Sequence, residues 1–186
     1  MILDLNKRNL TYEQLSKNII DYMVKELKNI KYWSNPEYEQ WVQNITKMMI
    51  NSKSRRKYLA YFDGSAKPNP GIMSIGGFIQ GPDKRRIYKY SINKGEGTNN
   101  VAEYLSLIHV LEEAKKRGIQ RLLVRGDSQL IINQANGIWK AREQKMKDLY
   151  SQVVKARKDI PTCDIMWYPR SENKEADKLA NRAHKK

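Results

Sequence analysis

Cysteine occurs once in the 186 residues, at Cys163, and histidine only twice. One cysteine excludes an intrachain disulfide and any cysteine-rich zinc site, and it fits a reducing, cytoplasmic setting. No apolar run approaches the length of a bilayer span. The opening MILDLNKRNLTYEQ lacks the uninterrupted apolar stretch of a secretory leader. Acidic residues are scarce too: 20 Asp and Glu stand against 35 Lys and Arg, for a net charge of +15 and a pI near 9.8. A chain this basic points to a polyanion, most simply nucleic acid, or to no more than general solubility. No internal repeat or low-complexity tract is visible. What is present is a 40% hydrophobic content, enough for a core and too much for a disordered chain.

The length suits one domain and a smaller appendage, and the polar, basic run NSKSRRK (51–57) divides the two. Before it, Thr11-Tyr12-Glu13-Gln14 has the form of a capping box, followed by Leu15, Ile19, Met23, Leu27 and Ile30 at helical spacing. Ser34-Asn35-Pro36 opens a second helix whose apolar positions include Tyr38, Trp41, Val42, Ile45, Met48 and Met49. Residues 1–57 are therefore expected to form a helical hairpin ending in a basic linker. From residue 58 to 186 the pattern is mixed. Strands are expected near 58–63, 72–80, 86–92, 121–126 and 164–169, with GPDKR (81–85) as a hairpin turn. Helices are expected near 99–117, 128–136, 141–158 and 172–184. Three antiparallel strands followed by alternating helices and strands make an α/β fold with a five-stranded mixed sheet.

Four carboxylates stand out. Asp63 follows the aromatic strand YLAYF and enters Gly-Ser and a Pro-Asn-Pro-Gly turn; it is either turn chemistry or a group placed where a strand runs out. Glu103 shares a helix arc with Leu107, Val110, Leu111 and Ala114, whereas Glu112, Glu113 and Lys116 lie away from it. A carboxylate on that side needs a salt-bridge partner or a metal. Asp127 follows the apolar strand Leu122-Leu123-Val124, where α/β sheets place their sites, although it or Ser128 also suits an N-cap. Asp177 borders the stripe Ala176, Leu179, Ala180 and Ala183, beside Asn173 and Asn181, and in isolation is a surface charge. If the four converge, oxygen ligands without a His or Cys set select hard ions such as Mg2+ or Mn2+. Two such ions roughly 3.5–4 Å apart are a device for phosphodiester cleavage.

The stretches YFDGSAKPNPG, TNNVAEYLSLIHVLE, RGDSQLIINQANG and WYPRSENKEADKLANRA, in this order over residues 58–184, resemble the successive motifs of type 1 ribonuclease H. The resemblance implies the ribonuclease H-like sheet flanked by helices and endonucleolytic cleavage of the RNA strand of RNA–DNA hybrids. It also implies two Mg2+ or Mn2+ ions and products with a 5′-phosphate and a 3′-hydroxyl. The family's metal-binding, catalytic acids fall on Asp63, Glu103, Asp127 and Asp177, with Asp63 as the bridge at the end of its strand. By the same resemblance, Asn69, Asn99 and Asn100 stand where the backbone and 2′-hydroxyls are contacted. Thr98 and Ser128 stand near phosphate or the DNA strand, and Gln129 near a base edge or sugar. Each of these six also suits turn or cap chemistry. Trp139 belongs beside the DNA strand or in the core.

Three features depart from the family pattern. The loop before the last helix has no histidine; Arg170 and Glu172 are its polar residues and candidate auxiliaries, while His184 reads as a solvated terminal side chain. The basic insert of some members is absent, with only NGIWKAR joining two helices. Residues 1–57 do not resemble the small hybrid-binding domain that some members carry at the N-terminus. Two other classes remain open: a nucleic-acid-binding module on this scaffold without catalysis, and a nuclease acting on double-stranded RNA. The N-terminal segment is expected either to supply duplex contacts in place of the insert or to stabilise the rest. Deleting residues 1–56 separates the two. Hybrid affinity several-fold weaker at unchanged melting temperature marks a binding segment, and a much lower melting temperature marks a structural one.

Overall fold

In the computed structural model the described residues are 57–184; the helical hairpin expected in the N-terminal segment lies outside them. The order is β1 (Tyr58–Lys67), β2 (Gly71–Gln80), β3 (Arg86–Gly97), α1 (Asn99–Lys116), β4 (Arg121–Gly126), α2 (Gln129–Ala135), α3 (Gln144–Lys158), β5 (Thr162–Trp167) and α4 (Lys174–Ala183). A single 3-10 turn, Arg170–Glu172, leads into α4. The sheet runs β3-β2-β1-β4-β5. Its first three strands are antiparallel neighbours, and β4 and β5 add in parallel. This is the mixed five-stranded sheet expected from the pattern of elements. Among the described residues no helix is long and apolar enough to cross a membrane.

Local chemistry accounts for the element ends. Thr98 caps α1 by accepting from the Val101 N–H, and Ser128 caps α2 by accepting from the Ile131 N–H. Gly118, at φ +62, follows α1 in the left-handed region that favours glycine. The GPDKR turn closes with the Gly81 N–H donating to the Arg85 carbonyl at 2.8 Å. Cys163 is a buried residue of β5, its thiol pushed up to about 11 by burial, which makes it packing rather than chemistry.

Four expectations need correction. Strand β3 runs to Gly97, five residues past its expected end. Strand β1 does not stop at Asp63 but runs on to Lys67, with Asp63 opposite Gly76 of β2. On its other side, pairing with β4 ends at Tyr61–Arg125. Asp63 thus lies inside a strand, just beyond the point where β4 leaves it. Strand β5 is Thr162–Trp167, two residues earlier than expected; the Tyr168 N–H makes the last ladder bond, to the Gly126 carbonyl, and Pro169 follows without an N–H to continue it. Glu113 is buried rather than facing away; Lys116 and Arg117 each hold one of its oxygens at 2.8 Å. That chelation draws its carboxyl below the ordinary glutamate value, the Lys116 hydrogen bond contributing most.

Both sheet faces are covered so closely that side chains are excluded at two points. A Cβ on Gly64 would lie 2.2 Å from the Ala102 carbonyl carbon of α1, and one on Gly76 would lie 2.0 Å from the Ala180 nitrogen of α4. Backbone atoms cannot move aside as a flexible side-chain tip can. Gly64→Ala should therefore lower the unfolding free energy by about 1–3 kcal/mol or more, read from urea denaturation, whereas an unchanged midpoint would show that α1 sits less tightly on β1.

Candidate active site

Three of the four carboxylates meet. Asp63 from β1, Glu103 from the second turn of α1 and Asp127 from the β4–α2 junction each place a carboxylate oxygen within 4.8 Å of the other two. The Gly64 contact makes this possible. Because α1 rests on a residue without a side chain, Glu103 approaches Asp63, and the nearby Gly64 N–H favours the charged form of both carboxylates. Asp127 is gripped twice: the Trp167 indole Nε1 donates to its backbone carbonyl at 3.0 Å, and Asn173 Nδ2 donates to its Oδ1 at 3.0 Å.

The fourth carboxylate stands at the rim. Arg170 donates to Asp177 Oδ1 at 3.0 Å, and Asn181 Nδ2 donates to Oδ2 at 3.0 Å. It is neither a lone surface charge nor a member of the tight trio, yet its charge is felt at Asp63. Asp63 is 7% exposed. Burial first, then the charges of Asp127 and Asp177, push its carboxyl up to about 7, against the opposing pull of Arg170 and the Gly64 N–H. Glu103 is pushed well above the ordinary glutamate value by burial and by Asp63 and Asp127. Its Oε2 is enclosed and has no hydrogen-bond partner. An orphaned, enclosed carboxylate oxygen beside two other carboxylates fits a hard divalent cation. The donor set is oxygen only, which suits ions of the Mg2+ and Mn2+ kind.

The other expected residues divide. Asn69, Thr98, Asn99, Asn100 and Trp139 line one cleft of about 1200 Å3 with Lys140 and Arg142. It adjoins the acids along α1, since Asn99 and Asn100 lie one turn before Glu103. Trp139 is 47% exposed, which rules out burial in the core. The oxygens of two asparagines are committed to the fold: Asn69 Oδ1 accepts from the Asn99 N–H at 3.0 Å, and Asn99 Oδ1 from the Ala66 N–H at 2.6 Å. Ser128 is used as a cap, and neither it nor the exposed Gln129 lines the cleft. Glu172 is exposed and lines a separate cleft of about 240 Å3 with Tyr61, Phe78 and Arg86. His184 is not simply solvated: its Nε2 lies 2.8 Å from Ser65 Oγ and 2.7 Å from Ser74 Oγ, tying the end of α4 to β1 and β2.

Two residues escaped the sequence reading. Trp167 sits at the end of an ordinary strand pattern, and Asn173 stood out only as a polar neighbour of Asp177. Nothing local marks either as a partner of Asp127.

A family model described as reverse transcriptase-like matches residues 61–183. A ribonuclease HI of Halobacterium salinarum is 38% identical over 127 residues, covering 67% of this chain and 62% of its own length. A bifunctional protein of Mycobacterium tuberculosis is 35% identical over 122 residues, covering 65% of this chain and 34% of its own. The chain thus spans less than two thirds of these relatives. The RNase H1 structure from H. salinarum superposes with a TM-score of 0.67 at 32% identity, over 69% of this chain and 98% of that one. An RNase H1 isolated from compost, solved in complex with an RNA/DNA hybrid, gives a TM-score of 0.64 at 34% identity, over 68% and 95%.

The acids should betray themselves in stability. Without cations, Asp63 keeps its proton up to about pH 7 in the folded protein, against an ordinary value of 3.8. The folded state then binds more protons than the unfolded one between these values, so stability falls as pH rises through that window and levels off above it. With a chelator present, the urea midpoint should drop between pH 5 and pH 8. Asp63→Asn should flatten that drop and raise the midpoint at pH 8; a variant no more stable than the parent there would contradict the carboxylate repulsion.

Proposed function

This chain belongs to the ribonuclease H family, and from that premise we propose that it is an endoribonuclease that hydrolyses the RNA strand of RNA–DNA hybrids. The observation that carries the proposal is the Asp63–Glu103–Asp127 cluster, with oxygens within 4.8 Å, in a chain of net charge +15. Negative charge is concentrated at one point of a protein otherwise suited to a polyanion. A relative at 34% identity has been solved on an RNA/DNA hybrid, which supports that choice of duplex.

Asp63, Glu103 and Asp127 would hold two divalent cations, Mg2+ or Mn2+, with Asp177 as the fourth ligand. The chemistry those ions supply is Lewis-acid activation of a water and stabilisation of the departing 3′-oxygen. The protein's own residues do the rest. Asp63 feels both Asp127 and Asp177 and is the natural bridge between the two halves of the site. Arg170, which pairs with Asp177 while its side chain stays 79% exposed, is the auxiliary that meets the scissile strand where other members carry a histidine. Its remaining guanidinium donors match phosphate oxygens. The cleft residues grip the duplex. With their oxygens committed internally, Asn69 and Asn99 present Nδ2 donors to phosphate or 2′-hydroxyl oxygens, as Asn100 does beside them. Trp139 offers a stacking face in the cleft it shares with Lys140 and Arg142. Thr98 at the cleft, and Ser128 and Gln129 at the start of α2, are secondary contacts. The cytoplasmic setting inferred from the lone buried Cys163 belongs to this proposal.

The test is cleavage of end-labelled RNA–DNA, RNA–RNA and DNA–DNA duplexes of one sequence with Mg2+ or Mn2+. The RNA strand of the hybrid should be cut to fragments with 5′-phosphate ends, the other duplexes spared, and Asp63→Asn should abolish cutting while hybrid binding survives. Equal cutting of RNA–RNA would replace the substrate. Binding without cutting by the unsubstituted protein would make it a binding module.

A further inference from the structure

Asn173 stands at the N-cap of α4, where an asparagine ordinarily accepts from the helix's first N–H groups, yet it makes no such side-chain cap. The side chain is turned the other way. It is 1% exposed, and Nδ2 donates both to the Phe62 carbonyl at 2.9 Å and to Asp127 Oδ1 at 3.0 Å. Two acceptors on one end fix which end is nitrogen, since only the NH2 group can serve both. Its own Oδ1 is left enclosed and unpartnered. The residue thus gives up a helix cap and strands an acceptor, both costs to stability, in order to reach the acids.

Three acid-bearing segments meet on this residue. Phe62 precedes Asp63 on β1, Asp127 is held directly, and the Asn173 carbonyl accepts from the Asp177 N–H at 3.1 Å. We propose that Asn173 is the positioning residue that holds Asp127 toward Asp63 and Glu103 for cation binding, an inference that rests on the functional reading above. The torsion that orients an aspartate carboxylate is broad and soft, and repulsion from two neighbouring carboxylates drives Asp127 away. A donor is needed to keep it in place. Lysine or arginine would neutralise the site and compete with the cation; a neutral amide orients the carboxylate and leaves its charge for the ion. Trp167 fixes the backbone of Asp127, and Asn173 fixes its side chain.

The test compares the unsubstituted protein with Asn173→Ala and with Asn173→Leu, which keeps the bulk but offers no donor. Mn2+ binding is measured by calorimetry without nucleic acid, kcat and KM on a hybrid, and folding by circular dichroism and urea. Loss of a partner that orients a metal ligand should weaken Mn2+ binding and kcat by about 10–100-fold in both folded variants, with KM for the hybrid little changed. The proposal is overturned if a folded variant binds Mn2+ within about twofold of the parent, if leucine restores what alanine loses, or if neither variant folds. No Mn2+ binding by the unsubstituted protein would overturn the functional reading and this inference with it.

Discussion

Strand β1 and helix α1 touch backbone to backbone, with no room for a Cβ at Gly64 beside Ala102. The arrangement of charge follows from that contact. A side chain at position 64 would lift the helix, and Glu103 with it, away from Asp63. On the other face Gly76 allows α4 to settle against β2 in the same way, which brings Asn173 and Asp177 to the other side of Asp63. The sheet is compressed between two helices at adjacent points, and the acids gather where strand pairing between β1 and β4 gives out after Tyr61. A strand that has lost one neighbour but kept the other is rigid and open at once, a suitable mount for a charged side chain.

This gathering opposes folding. Carboxylates with oxygens this close repel one another, and desolvation adds to the cost. The protein meets the repulsion with weak counterweights: one exposed arginine, the Gly64 N–H and a neutral amide. A buried lysine would relieve it more fully but would fill the place of a cation. The contrast with Glu113 is instructive. There two cations hold one carboxylate, one on each oxygen, and its pKa falls instead of rising. The same chain satisfies one buried glutamate completely and leaves another, Glu103, with an orphaned oxygen. An unrelieved charge of that kind is what a ligand-binding site requires and a structural ion pair avoids.

Much was legible in the sequence. The sheet and its helices follow from apolar periodicity, from Thr98 and Ser128 as caps, and from Gly81-Pro82-Asp83 as a turn. These signals are local, and each is decided by neighbours within a few residues. The family motifs picked out Asp63, Glu103 and Asp127 by their order along the chain. Strand ends were less legible. Asp63 reads as a strand terminus because Gly, Pro and Asn follow it, yet pairing with β2 carries the strand on to Lys67. Glu113 reads as a surface residue on a helical wheel, but the flank of α1 it occupies is closed over by Lys116 and Arg117.

By itself, then, the sequence determined the elements, their order and the excess of positive charge, because periodicity, capping and composition are carried by residues near one another along the chain, while the acids were singled out by their resemblance to the family motifs. Tertiary structure alone decided that three acids share one space while Asp177 is held aside by Arg170 and Asn181. It also decided that Trp139 faces a cleft and that Asn173 forgoes its cap to reach Asp127 across 46 residues of sequence. Repulsion, desolvation and hydrogen bonding depend on distance in space, and the distances between these residues exist only once α1 and α4 have closed on the sheet.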